Sequence, residues 1–158
     1  MNEAGESDRH RIFLILLFVV YILVVIKLLI FKYPYCELKE IMDTWEKGVI
    51  WEGLDTANFT LFKTIKMYIR YSYKLNSFEN LVGNVVVFLP FGYLLPRIWR
   101  TAKSGLMLMG YAFFFSLSIE LFQLFSAFGA FDVDDLLLNT AGALIGFFVY
   151  KMNMKLFG

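Results

Sequence analysis

The stretch Ile12–Phe31 reads IFLILLFVVYILVVIKLLIF. It holds 20 residues and one charge, Lys27, close to its far end. A helix rises about 1.5 Å per residue, so the run covers about 30 Å, the thickness of a bilayer's hydrocarbon core. Arg9 and Arg11 precede it, which is also how a secretory signal begins. The run is long for a signal peptide, and Lys32-Tyr33-Pro34-Tyr35 follows where a small-residue cleavage site is expected. The segment therefore reads as a retained first transmembrane helix, about 12–31, with Lys27 snorkelling to the interface.

Three further apolar runs follow, with expected spans at about 78–99, 105–128 and 136–152. The second carries Asn80, Asn84, Pro90, Gly92 and Pro96, and Pro90 is expected to kink it. Glu120 and Gln123 lie in the third span. The fourth opens at Asp132, Asp134 and Asp135 and continues through Asn139, Gly142 and Gly146. Hydrophobic residues make up 59% of the 158, more than a small soluble domain can hide, and the mean hydropathy is +0.61. The expected fold is one all-α integral membrane domain of four transmembrane helices. Its net charge of +1, with aromatics inside apolar runs, points away from nucleic acid. One cysteine, Cys36, rules out an intrachain disulfide and reads as an ordinary small residue. The only histidine, His10, lies in the N-terminal tail, which excludes a His-dependent phosphatase mechanism within the membrane.

Charge sets the expected orientation. Arg97, Arg100 and Lys103 crowd the connection between spans two and three, whereas that between spans three and four is acidic. The positive-inside rule puts the basic side, and both termini, in the cytoplasm. The long loop 32–77 then lies outside. Within it, Leu61, Phe62, Ile65, Tyr68, Ile69 and Tyr73 recur at helical spacing between Lys63, Lys66, Arg70 and Lys74. That pattern suits an amphipathic helix in the outer interface, or one packed on the bundle. Asn58-Phe59-Thr60 is formally a glycosylation sequon, which a bacterial reading would make irrelevant. Glu79–Asn84 and Asp134–Asn139 share the order acid, polar, Leu, x, x, Asn, a weak sign of two parallel hairpins.

The costly polar groups fall in the outer half of the bilayer. Asn80 and Asn84 are four apart; Ser116, Glu120 and Gln123 share a helical face; so do Asp135, Asn139, Gly142 and Gly146. An acidic side chain at mid-helix costs about 2.5–3.5 kcal/mol on insertion scales, so these faces should turn inward around a water-accessible pocket. The candidate ligand-binding residues are Asn84, Glu120, Gln123, Asp132, Asp135 and Asn139, with Glu120 foremost. Asn80 and Gln123 also suit plain interhelical hydrogen bonds, and Asp134 suits a cap on the fourth helix. Pro90, Gly92, Gly142 and Gly146 read as structural, the last two as a GxxxG packing or dimerisation face. A proton, a cation or a cationic ligand group would complement the acids. Two helix N-termini at the same depth would suit an anion, which the aspartates oppose. No metal-ligand or cofactor motif is present in the sequence.

In order, these residues resemble the signature of the VanZ family of bacterial envelope proteins. Phe62-Lys63-Thr64-Ile65 resembles its Pro-Phe-x-x-Ile motif, with Leu61 in the proline's place. Asn80 to Gly92 resembles N-x-x-x-N-x-x-x-F-x-P-F-G, and Ser118 to Gln123 resembles S-x-x-E-x-x-Q. Asp132 to Asp135, then Asn139 to Gly142 and Gly146, resemble the last block. Gly129 stands where many members carry arginine, a variant similar to the branch named for teicoplanin resistance. The resemblance implies low-level resistance to teicoplanin-type glycopeptides. The expected partners are membrane lipid, a lipid-linked peptidoglycan precursor or a lipoglycopeptide drug, and a second copy in a homo-oligomer. Rival readings are an integral-membrane enzyme, with Glu120 as general acid or base oriented by Asp135 and Asn139, and a small transporter.

Overall fold

The structure, a computed structural model, describes residues 3–31, 34–43, 49–71 and 77–157. It is all-α, with seven helices among those residues: α1 (Glu3–Leu29), α2 (Tyr35–Asp43), α3 (Val49–Thr56), α4 (Lys63–Arg70), α5 (Ser77–Ile98), α6 (Gly105–Ser126) and α7 (Val133–Phe157). Four of them, α1, α5, α6 and α7, are long and apolar enough to cross a membrane. Their outer surfaces carry Leu16, Leu23, Phe114, Ile145 and Phe148, all exposed, as a lipid-facing surface requires.

The most extensive helix contact joins α5 to α7. Their paired positions rise together along both chains, so the helices run parallel. Small residues make this contact close. A β-carbon added at Gly142 would lie 2.2 Å from the Val85 carbonyl oxygen, and one at Gly146 would lie 2.0 Å from that of Leu89. One at Gly92 would lie 1.8 Å from the Ala143 oxygen. The GxxxG face is thus spent within the chain, on α5, and not offered to a second copy. Beside it, Phe88, Phe91 and Phe115 form the aromatic centre of the core, and Phe18 of α1 packs on Phe91.

Helix α5 continues through both Pro90 and Pro96. Proline removes one backbone donor, a loss tolerated in membrane helices where neighbours supply partners. One turn before Pro90, the Tyr21 hydroxyl of α1 donates to the Val87 carbonyl at 2.8 Å. A short 3-10 turn, Arg100–Lys103, then reverses the chain into α6. Helix α7 begins earlier and ends later than its apolar run suggests. Hydropathy loses it at Lys151, but lysines at a helix end complement the dipole and snorkel.

The long first loop folds into α2, α3 and α4. The amphipathic segment is shorter than its periodicity implies, because α4 starts at Lys63; Tyr73 and Lys74 fall outside the described residues. Phe62 before it adopts φ 64°, a left-handed conformation. α3 packs against α6, and α4 packs against α5 and α7. These two short helices therefore close over the bundle end where α6 stops and α5 and α7 start.

Candidate functional site

Three polar residues enter this end of the bundle to one depth. Glu120 lies six residues before the end of α6, about 9 Å along the helix. Asn139 lies six residues into α7, also about 9 Å, and Asn84 seven residues into α5, about 10 Å. Around them is a cavity of about 220 Å³. Its wall takes Asn80 and Asn84 from α5, Glu120 and Gln123 from α6, and Asp135 and Asn139 from α7. Leu28 and Leu29 of α1 supply an apolar side, and Tyr68 of α4 completes the wall.

Glu120 is only 2% exposed, and its Oε2 accepts the Asp132 backbone N–H at 2.9 Å. That bond ties α6 to the start of α7. Asn84 donates Nδ2 to Asp135 Oδ1 at 2.6 Å, joining α5 to α7 just above their close contact. Gln123 donates Nε2 to the Leu29 carbonyl at 2.9 Å, at the last turn of α1. The interhelical hydrogen bond expected of Gln123 and its place in the cavity wall are therefore both observed. Asn139 is 1% exposed and donates Nδ2 to Ser116 Oγ at 2.9 Å, leaving its Oδ1 without a partner.

Asp132 and Asp134 do other work. Asp132 caps α7: its Oδ1 accepts the Asp134 N–H at 2.8 Å. The same oxygen takes Asn58 Nδ2 at 2.8 Å, and Oδ2 takes the Thr64 hydroxyl. It is not part of the cavity wall, so among the sequence candidates it stands apart as a bracket between loop and bundle. Asp134, completely buried, does not cap its own helix. Its carboxylate accepts the N–H groups of Phe62, Thr64 and Ile65, and so caps α4 across about 70 residues of chain. The left-handed Phe62 turns the chain so that these donors converge. A helix N-terminus carries unsatisfied donors and partial positive charge, both met here by one carboxylate.

Asn58, the sequon asparagine, is a second bracket that sequence reasoning missed. Its backbone pairs with Phe131 and Val133 in an isolated parallel bridge at 2.8 and 3.0 Å. Tyr68 was also missed as part of the wall. Burial raises its pKa, the negative charge of Asp135 raises it further, a hydrogen bond from Asn80 opposes this, and Asp132 adds a smaller push upward. Gly129 packs on Gln123: a β-carbon there would meet the carboxamide at 3.0 Å.

Among the described residues the cavity wall holds two carboxyl groups, those of Glu120 and Asp135, and no Lys, Arg or His. Among the described residues no group of three or more His, Cys, Asp or Glu is placed to hold a metal ion. With 220 Å³ it falls below the roughly 300–1,000 Å³ of sites for whole drug-sized ligands. It suits a headgroup, a side chain or a few waters.

Comparison with known proteins agrees with the resemblance read from the motifs. The VanZ/LLP1 family model matches residues 18–156. Protein VanZ of Enterococcus faecium is 32% identical over 79 residues, which are 50% of this chain and 48% of that protein. The chain thus matches about half the length of that relative. No solved structure matches. A family match over most of the chain, on a four-span bundle that gathers the motif residues at one end, places this protein in the VanZ/LLP1 family.

Proposed function

We propose that this protein is a bacterial envelope factor that lowers the access of teicoplanin-type glycopeptides to their target. It acts through the polar cavity between α4, α5, α6 and α7. The observation that carries the reading is the wall itself: Glu120, Asn84 and Asn139 gathered at one depth, with Asp135 one turn nearer the bundle end, at membrane cost, in space large enough for a ligand group. The cluster Arg97, Arg100 and Lys103 lies at the other end of the bundle. That asymmetry supports the cavity facing outward, with both termini in the cytoplasm and the chain in the cytoplasmic membrane.

The volume narrows the mechanism. A whole lipoglycopeptide does not fit 220 Å³, so the cavity takes one group of a larger molecule whose remainder lies in the interface. A lipid-linked peptidoglycan precursor or the tail-bearing drug meets that description. Purified protein in lipid nanodiscs tests the reading. Saturable binding of either a fluorescent lipoglycopeptide or a lipid-linked precursor supports it. Binding of neither, by folded protein, removes it.

A further inference from the structure

We infer that the basic end of the bundle binds an anionic phospholipid, its phosphate in a pocket of cationic side chains and an acyl chain in the adjoining groove between α1, α5 and α7. The site lies at the far end from the cavity around Glu120 and does not rest on the reading of that cavity. Two observations meet there. The first is a pocket of about 450 Å³ whose wall includes Arg11 of α1, Arg97 of α5, and Arg100 and Lys103 of the 3-10 turn. Three separate elements thus bring four cationic groups to one concavity. Among the described residues none of the four is in an ion pair. The second is a groove of about 630 Å³ lined by Leu17 and Tyr21 of α1, Leu89 and Leu94 of α5, and Val149 and Asn153 of α7. These residues belong to membrane-crossing stretches, and Leu17 and Val149 are exposed, so a hydrocarbon chain rather than water fills the groove.

Arg97 joins the two. Tyr93 and Asn153 line the groove, while Arg97 lines the pocket. The guanidinium lies 3.7 Å from the Tyr93 ring centroid and 5.3 Å from that of Tyr150. It donates to the Tyr93 carbonyl at 3.2 Å and to Asn153 Oδ1 at 3.0 Å. These contacts fix the plane of the fork, and its remaining N–H groups are open to a phosphate oxygen. Basic residues at a helix end also set topology. Topology needs charge near the surface, but not a half-buried arginine held against two rings at the mouth of an apolar groove. Charge selects the headgroup. A phosphate without an ammonium complements the pocket, whereas a zwitterionic headgroup brings a fifth cation to the four already there. Basic pockets between spans hold anionic headgroups in this way. A free phosphate would leave the groove unused.

Native mass spectrometry of the intact, delipidated chain in detergent tests this by following bound lipid against lipid concentration. Phosphatidylglycerol should occupy one saturable site about tenfold more tightly than phosphatidylcholine with the same tails, the ratio expected when one or two charge-assisted contacts separate them. Inorganic phosphate, which carries charge without tails, should bind more weakly than phosphatidylglycerol by about tenfold or more. Arg100→Gln with Lys103→Gln, both at exposed positions, should bring phosphatidylglycerol down to the phosphatidylcholine level. Leu17→Trp, which fills the groove and leaves the pocket alone, should weaken phosphatidylglycerol severalfold. Lys63→Gln with Lys66→Gln, on α4 at the other end, should change nothing. Should the Arg100 and Lys103 pair of changes prevent folding, Arg11→Gln takes its place. Equal binding of the two lipids overturns the inference and leaves the basic cluster a determinant of topology alone. A preference that survives the Arg100 and Lys103 changes, or that is lost with Lys63 and Lys66, also overturns it, because the lipid then sits elsewhere. Inorganic phosphate binding as tightly as phosphatidylglycerol overturns it in favour of a soluble anion.

Discussion

Asp134→Ala removes one buried carboxylate and, with it, the acceptor for three backbone N–H groups, those of Phe62, Thr64 and Ile65. At about 1–1.5 kcal/mol net for each, the bonds sum to about 3–4.5 kcal/mol. Some of this is returned, because the carboxylate no longer has to be buried. A loss of about 3 kcal/mol remains, concentrated on the docking of α4 rather than on the transmembrane bundle. It corresponds to a roughly 150-fold larger opening constant for α4. Amide hydrogen exchange in detergent micelles reads this directly: Thr64 and Ile65 should exchange roughly two orders of magnitude faster, with α6 unchanged. Asp134→Asn keeps one acceptor oxygen and should show about half the effect in free energy. Exchange at Thr64 and Ile65 within threefold of wild type would refute the capping argument, and with it the idea that one residue latches α4 over the cavity.

Three further outcomes follow from the geometry. Gly142→Ala puts a methyl 2.2 Å from the Val85 oxygen, a backbone atom that can give way only if α5 and α7 part by about 1 Å. The cost should be about 3 kcal/mol, seen as a lower thermal midpoint in detergent; an unchanged midpoint contradicts the close packing. Ser116→Ala takes the acceptor from Asn139 Nδ2 inside the bundle, and should destabilise by about 1–3 kcal/mol in the same assay. Tyr68 should titrate above its ordinary pKa of 10.0, and Asp135→Asn should lower that value without restoring it, since burial is the larger cause. A folded-state pKa raised in this way means that the phenol's stabilising contribution is complete below about pH 10 and lost as pH climbs through the raised value. A Tyr68 titration at its ordinary value would contradict its place in the wall.

The four spans and the common depth of Asn84, Glu120 and Asn139 are legible in the sequence for a single reason. Lipid makes polar side chains expensive, so those that persist at helical spacing must share an interior face. The GxxxG of α7 was likewise legible as packing, but its partner was not. Glycine spacing tells that a backbone approaches, not whose. The loop was the hard part. Nothing local marks Asp134 as the cap of α4, because its donors at Phe62, Thr64 and Ile65 lie about 70 residues away. Asn58 was hidden behind its sequon, and Tyr68 behind an amphipathic pattern that suits an interfacial helix as well as one packed on the bundle. Both take their roles from how α3 and α4 fold back on the bundle, a long-range event that periodicity does not report.

The central claim, that the cavity around Glu120 is where this protein acts, is tested most directly by teicoplanin susceptibility in a sensitive Gram-positive host. The strains express wild type or Glu120→Gln at matched membrane levels. The account predicts that wild type protects and that Glu120→Gln, which keeps shape and loses charge, does not. Equal protection by both would make Glu120 a structural residue and contradict the account.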